Sequence, residues 1–214
     1  MLASSYGPLH WWPARTRFEV IVGAFLTQNT SWKNVELALG NLRRAGALNI
    51  PAIRSMPTGE LEQLVRSSGY FRQKAARLKT FVSYLDGRHG GSLSRMFAQP
   101  VSQLRSELLA LNGVGPETAD TILLYAGKLP VFVVDAYTKR LFERHAIVPA
   151  GSSYEELRAQ VESAFSSFTP KTELAEHYNA LHALIVQVGK DHCGKIAKCE
   201  GCPLRPLLLK TGQA

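Results

Sequence analysis

The chain has 214 residues, of which 45% are apolar and 20% are charged, and its formal net charge is +8. No apolar run approaches the roughly 18 residues that a membrane helix needs, so a soluble globular protein without a membrane partner is expected. The basic charge favours a polyanionic partner. Three cysteines cannot pair off into a disulfide framework and no signal-peptide pattern opens the chain, so we expect a cytoplasmic protein.

Apolar residues recur mostly at helical spacing, which predicts a nearly all-α protein. Residues 18–26 are apolar around most of the helical circumference, as in a helix buried at the centre of a bundle. Amphipathic stripes predict three further helices over 35–42, 75–85 and 157–168. Residues 131–134 are apolar but have no second strand to pair with, so we interpret them as an extended connector.

Two groups of polar residues receive structural interpretations. Basic residues beside the stripe at 75–85 could face phosphates, but they serve equally well as the solvated face of that helix: Arg72, Lys74, Arg77 and Lys79. His182 falls on the apolar face of a helix near the end of the chain, where a hydrogen-bonded structural histidine is the expectation.

Residues 108–127 read LLALNGVGPETADTILLYAG and predict a helical hairpin. The first helix is expected to end at Leu111, and a proline opens the second helix after a turn formed by Gly113, Val114 and Gly115. The two glycines allow a close backbone approach, so amides at the start of the second helix can face a phosphate oxygen. An ordinary turn between two helices is the alternative for this segment taken alone.

Asp135 follows the apolar run 131–134 and precedes the segment AYTKR, which has the character of a new helix. Aspartate is a favoured residue at a helix N-cap, so capping explains its position. An N-cap carboxylate can also take part in catalysis, and the sequence up to this point leaves both roles open.

Taken together, the segments LNGVGPETAD, VVDAYTKR and LTQNT resemble the endonuclease III family of helix-hairpin-helix DNA glycosylases. The resemblance covers most of the chain and implies two helical domains with an active-site cleft between them. A six-helix domain over 23–132 would contain the helix-hairpin-helix at about 108–127. Residues 1–22 plus 133–214 would form the second domain with a C-terminal cysteine loop. The implied partner is duplex DNA containing a damaged base, bound by a monomer.

The resemblance also implies roles for individual residues. Asp135 matches the catalytic carboxylate, Gln28 matches a glutamine that fills the gap left by an extruded base, and the turn Gly113, Val114 and Gly115 contacts DNA. Bifunctional members place a nucleophilic lysine two residues after the second hairpin glycine, where this chain has Glu117. We therefore expect hydrolysis by Asp135 without a covalent lysine intermediate.

The opening YGPLxWWP and the segment QNTSW resemble the 3-methyladenine glycosylase branch of the family. By that resemblance Trp11, Trp12, Pro13 and Trp32 line a base pocket, and Lys190 lies in or beside it. An alkylated purine carries positive charge, which an indole face attracts. Without the resemblance, tryptophans at core boundaries and a lysine at the surface are the simpler interpretations.

Cys193, Cys199 and Cys202 are spaced C-x5-C-x2-C. They resemble the family's C-terminal iron–sulfur loop, C-x6-C-x2-C-x5-C, but the expected fourth position holds Leu208. An iron–sulfur cluster would therefore have an incomplete ligand set, because a cubane ordinarily takes four protein ligands. A metal site completed by His192 and a loop without metal are the other two interpretations.

The predicted function is monofunctional DNA glycosylase activity in base excision repair, directed at alkylated purines such as 3-methyladenine and leaving an abasic site. An endonuclease III-like glycosylase and AP lyase for oxidised pyrimidines is the enzymatic alternative. A noncatalytic helix-hairpin-helix DNA-binding protein is the alternative from another class, and Asp135 argues against it.

Overall fold

The computed structural model describes residues 1–9 and 14–210, with side chains as far as Leu208. The predicted pocket residues Trp11, Trp12 and Pro13 lie outside this part of the chain. Regular structure in the described residues is helical, with a single isolated β-bridge between Cys193 and Ala197. The all-α prediction is confirmed. None of the described helices is both long and apolar enough to cross a lipid bilayer.

The chain divides into two compact units, Trp12–Gly127 and the combination of Met1–Trp11 with Lys128–Ala214. The predicted domain limits, 23–132 and 1–22 plus 133–214, stay predictions. In chain order the described α-helices are α1 (Leu2–Tyr6), α2 (Arg17–Leu26), α3 (Trp32–Arg44), α4 (Ile50–Ser55), α5 (Thr58–Leu64), α6 (Phe71–His89), α7 (Leu93–Phe97), α8 (Val101–Leu109), α9 (Pro116–Thr121), α10 (Ala136–Arg144), α11 (Tyr154–Ser166), α12 (Leu174–Asp191) and α13 (Arg205–Lys210).

Helix α2 forms the centre of the unit Trp12–Gly127, as its apolar composition predicts. It packs against α3, α6 and the π-helical turn Ile122–Ala126 that continues α9. Phe25 of α2 is wholly buried, and its ring lies 5.8 Å from the ring of Phe81 on α6. The hydroxyl of Thr16 caps the helix by accepting a hydrogen bond from the amide of Glu19. Burial of this helix on nearly every side follows from its lack of a polar face.

The other unit is organised around α12, against which α1 and α10 pack. The connector at 131–134 crosses this unit without a strand partner, and two side chains of α11 satisfy its amides. Phe132 N donates to Glu162 Oε1 at 2.9 Å, and Val134 N donates to the Tyr154 hydroxyl at 3.3 Å. The four connector side chains are buried. Both backbone hydrogen bonds and side-chain burial therefore hold the connector in place. The connector leads directly into Asp135 at the start of α10.

Three details of the predicted helices are wrong. Phe168 is 70% exposed, because α11 ends at Ser166 before the apolar stripe does. The first hairpin helix ends at Leu109 rather than Leu111. Lys74 does not belong to a solvated face: it is wholly buried and donates to the carbonyls of Leu26 and Ser68 at 2.9 and 2.6 Å. Burial lowers the pKa of Lys74 to about 8.

Candidate functional site

Asp135 is the N-cap of α10, and its carboxylate is held by that helix. Oδ1 accepts two hydrogen bonds from Thr138, one from the backbone amide at 2.8 Å and one from the hydroxyl at 3.0 Å. The helix start also favours a negative charge because its amide dipoles point toward it. The side chain remains 15% exposed. The capping role and an accessible carboxylate therefore coexist in one residue.

The second carboxylate oxygen of Asp135 faces His182 of α12. The distance between Oδ2 and His182 Nε2 is 3.6 Å, and the His182 side chain is only 6% exposed. The imidazole ring stands nearly perpendicular to the ring of Phe132, at 87° and 6.2 Å between centroids. His182 thus presents a ring nitrogen to the carboxylate from an otherwise apolar setting.

The pKa of Asp135 is set by two opposing effects. Burial raises it, but the interaction with His182, together with the hydrogen bonds from the amide and hydroxyl of Thr138, outweighs that effect and holds the pKa below its ordinary value. Asp135 is therefore ionised at neutral pH. An ionised, partly buried carboxylate can stabilise a developing positive charge or take a proton from water, whereas it cannot act as a general acid.

The hairpin turn between α8 and α9 uses its two glycines differently. Gly113 has φ +80°, and a Cβ at this position would lie 2.1 Å from Arg77 Nε. Gly115 has φ −92° as the N-cap of α9, is exposed, and has open space where a Cβ would be. Val114 between them is buried. The fold itself requires glycine at 113, while Gly115 leaves the backbone uncovered toward solvent.

Gln28 follows α2 and ties that helix end to the hairpin. Its amide Nε2 donates to the Gly113 carbonyl at 3.0 Å and to Thr118 Oγ1 at 2.9 Å. Arg77 donates to the Gln28 Oε1, so both ends of the amide are engaged. In the protein without DNA, Gln28 therefore supports the turn, and its predicted gap-filling role stays a prediction.

Glu117 lies in the first turn of α9 and is exposed. The position at which the resemblance implies a nucleophilic lysine in bifunctional members thus holds a carboxylate. A carboxylate cannot form a Schiff base, which requires an amine.

The described members of the predicted base pocket are Trp32 and Lys190. Trp32 is half-buried as the first residue of α3, and Lys190 is exposed in the last turn of α12. They belong to different units, and each stays a prediction as a pocket residue.

The cysteine loop does not form a metal site among the described residues, where no group of three His, Cys, Asp or Glu side chains could hold an ion. Arg144 donates to Cys193 Sγ at 3.3 Å and to the carbonyls of Gly194 and Lys195 at 2.8 and 2.7 Å. Arg140 Nε donates to the Cys193 carbonyl at 2.8 Å. The position of a fourth ligand is held by Leu208, which lines an apolar pocket beside the three cysteines. These residues do not fit an iron–sulfur cluster.

Sequence reasoning missed the placement of two residues at these sites. The sequence favours a structural role for His182 and leaves Arg77 either facing phosphates or on a solvated face. The structure adds that His182 lies against Asp135 and that Arg77 packs over Gly113. Both contacts join residues far apart in the chain, and neither has a local spacing pattern. The one available signal was a histidine on a buried helical face.

Sequence comparison with known proteins identifies the family of this chain. The model of the HhH-GPD superfamily of base excision DNA repair proteins matches residues 22–167. A candidate DNA repair glycosylase of Methanocaldococcus jannaschii is 42% identical over 210 residues, covering 98% of this chain and 93% of that protein.

Solved structures agree in fold. A crystal structure of H. pylori 3-methyladenine DNA glycosylase bound to 1,N6-ethenoadenine is 31% identical, with a TM-score of 0.73 over 89% of this chain and 92% of that one. A trapped endonuclease III–DNA covalent intermediate is 24% identical, with a TM-score of 0.77 over 96% of this chain and 90% of that one. The latter likeness concerns the fold alone, and together these matches confirm the predicted helix-hairpin-helix glycosylase fold.

Proposed function

The chain belongs to the HhH-GPD superfamily of base excision DNA repair proteins, and from this premise we propose that it is a monofunctional DNA glycosylase for alkylated purines such as 3-methyladenine. The observation that carries the proposal is the ionised Asp135 carboxylate at the start of α10, combined with a carboxylate rather than an amine at Glu117. Asp135 supplies the negative charge that hydrolysis needs, and Glu117 leaves this position without the amine that lyase chemistry needs.

In the proposed reaction the bond between the sugar C1′ and the purine nitrogen breaks, and its electron pair leaves with the base. A cationic alkylated purine departs as a neutral molecule, so the base needs no proton from the enzyme. The sugar acquires oxocarbenium character, which the negative Asp135 carboxylate stabilises. Water then attacks C1′ and gives its proton to the carboxylate or to solvent, leaving an intact abasic site.

The proposed DNA interface is the hairpin turn of Gly113, Val114 and Gly115. The net charge of +8 favours binding to phosphates. The exposed N-cap at Gly115 leaves the amides that open α9 accessible to a phosphate oxygen. Such contacts do not depend on base sequence, as a repair enzyme that searches duplex DNA requires. Gln28 beside the turn is proposed to fill the gap when the damaged nucleotide is extruded.

The proposed substrate class rests on likeness and on the chemistry of the pocket residues. The H. pylori relative at 31% identity is a 3-methyladenine DNA glycosylase and was solved with an ethenoadenine base. Trp11, Trp12 and Trp32, with Pro13, are proposed to stack on the extruded base, because an indole face attracts the positive charge of an alkylated purine. Lys190 is proposed to lie at the edge of this pocket.

The test is to identify the released base and the state of the DNA. The protein is incubated with duplex DNA treated with a methylating agent, and separately with duplexes carrying an oxidised pyrimidine. Released bases are quantified by chromatography. We expect 3-methyladenine from the first substrate, no base from the second, and strand breaks only after alkali. Release of oxidised pyrimidine together with breaks before alkali would instead indicate an endonuclease III-like lyase. DNA binding without release would indicate a noncatalytic protein.

A further inference from the structure

We propose that His182 is the positioning residue for the Asp135 carboxylate, holding Oδ2 in place from a second helix in a poorly solvated site. The expected effect on catalysis rests on the proposed function. The pairing of the α12 imidazole with the α10 N-cap does not, because it is present in the protein without substrate.

The two oxygens of the Asp135 carboxylate are contacted by different helices. Thr138 of α10 takes Oδ1 with two hydrogen bonds, while His182 Nε2 of α12 lies 3.6 Å from Oδ2. With Oδ1 fixed alone, the carboxyl group would keep freedom to turn about its bond to Cβ. A group facing Oδ2 from a second helix restricts that rotation. Positioning of this kind matters because a carboxylate stabilises the sugar cation only from a defined place.

The surroundings of His182 make the pairing electrostatically significant. The imidazole is 6% exposed and stands edge-on to Phe132. Tyr178, one turn earlier on α12, is also buried and packs its ring edge-on to the same phenylalanine at 5.9 Å. An interaction between a carboxylate and an imidazole is weakly screened in such a setting. The low pKa of Asp135 agrees with this geometry, since burial alone would raise it.

The groups facing Asp135 can be named for its own unit. From α12 the facing group is His182, and from α10 it is Thr138, which does not titrate in the accessible range. The connector at 131–134 contributes buried apolar side chains. Of these contacting groups, His182 is the one with an ionisable side chain.

The first readout is the Asp135 carboxyl pKa itself, measured by NMR in protein with ¹³C-labelled aspartate carboxyls, using Asp135→Asn to assign the signal. His182→Phe keeps a ring against Phe132 but removes the ring nitrogens, and His182→Gln keeps an N–H donor without the imidazole. Tyr178→Phe controls for packing, and His177→Gln controls for loss of a half-exposed histidine on the same helix. We expect the pKa of Asp135 to rise from its wild-type value in His182→Phe, to rise less in His182→Gln, and to stay at the wild-type value in both controls.

The second readout is single-turnover base release from methylated duplex across pH. His182→Phe is expected to lower the rate about 10- to 100-fold at neutral pH, with DNA affinity unchanged. The acid limb of the pH–rate profile is expected to move to higher pH in this variant, because a carboxylate with a raised pKa takes up its proton earlier as pH falls. His182→Gln should recover part of both effects. A purely structural histidine would affect stability without moving the acid limb.

The two hypotheses fail in different ways. If folded His182→Phe and His182→Gln keep the wild-type Asp135 pKa and acid limb while Asp135→Asn is inactive, the pairing is overturned and the proposed function stands. If His182→Phe does not fold, His182→Gln decides alone, and a wild-type pKa in it overturns the pairing. If the pKa moves as expected but wild-type protein releases no base, the pairing stands and the proposed function fails.

Discussion

The glycine turn at 113–115 and the cysteine loop at 193–202 are both short loops that follow a helix, and the sequence singles out both by residue spacing. In the turn, Gly113 meets a geometric need: it adopts φ +80°, and its carbonyl accepts a hydrogen bond from Gln28. In the loop, the three cysteines line one pocket with Leu208, but no group of three potential metal ligands among the described residues could hold an ion. Arg144 donates hydrogen bonds to the loop's carbonyls instead. The complete glycine motif predicts its local backbone geometry, whereas the conformation of the incomplete cysteine loop is set by side chains of neighbouring segments.

The difference bears on function because the turn matches its motif completely and the loop matches its motif only in part. The turn has both glycines of its sequence pattern, whereas the loop has three cysteines where the resemblance implies four.

Gly113→Ala should produce the largest effect, a loss of about 2–4 kcal/mol in the free energy of unfolding. An alanine at φ +80° is strained, and its Cβ would collide with the Arg77 side chain. Denaturant unfolding measures the change. Gly115→Ala is the matched control: the space there is open, so the cost should stay under about 1 kcal/mol.

The same pair of variants tests the proposed DNA contact of the turn. Gly115→Ala should weaken binding to duplex DNA about tenfold, because the new methyl group covers the amides that open α9. Equal losses of stability in the two variants, or full DNA affinity in Gly115→Ala, would remove the distinction between a glycine needed by the fold and one that exposes the backbone.

Arg144→Met should destabilise the cysteine loop by about 1–2 kcal/mol. It removes donors to the carbonyls of Gly194 and Lys195 and to the Cys193 sulfur. Hydrogen exchange should accelerate over 193–198 while the hairpin turn keeps its protection. Lys139→Met on the same helix changes the charge equally but loses only a contact of 3.9 Å with Glu143. If both variants exchange alike, the arginine does not hold the loop.

Metal removal should have the smallest effect. A structural metal contributes many kcal/mol to folding, so dialysis against a chelator tests the loop sharply. We expect an unchanged thermal midpoint and no absorption in the visible range before or after treatment. Stoichiometric iron, with a midpoint that falls on chelation, would show that the cysteines converge on a cluster after all.

The hairpin and the start of α10 could be predicted from sequence because their signals are local. Gly113, Pro116 and Asp135 each act on the backbone within a few residues, so their spacing carries the geometry. The placement of Lys74 and His182 could not be predicted in this way. A lysine becomes buried when two backbone carbonyls from other segments converge on it, and a histidine meets Asp135 only when α12 packs on α10. Such contacts depend on tertiary packing.

The most direct test of the account compares wild type with Asp135→Asn in single-turnover release of 3-methyladenine, with protein in excess over methylated duplex and with DNA occupancy matched. Asparagine keeps a side-chain oxygen that can accept from Thr138, so the helix cap and the fold should persist. The account predicts DNA affinity within about threefold of wild type and a release rate lower by a factor of about 100 or more. A release rate within about threefold of wild type would contradict it, because base excision would then not depend on the carboxylate at the start of α10.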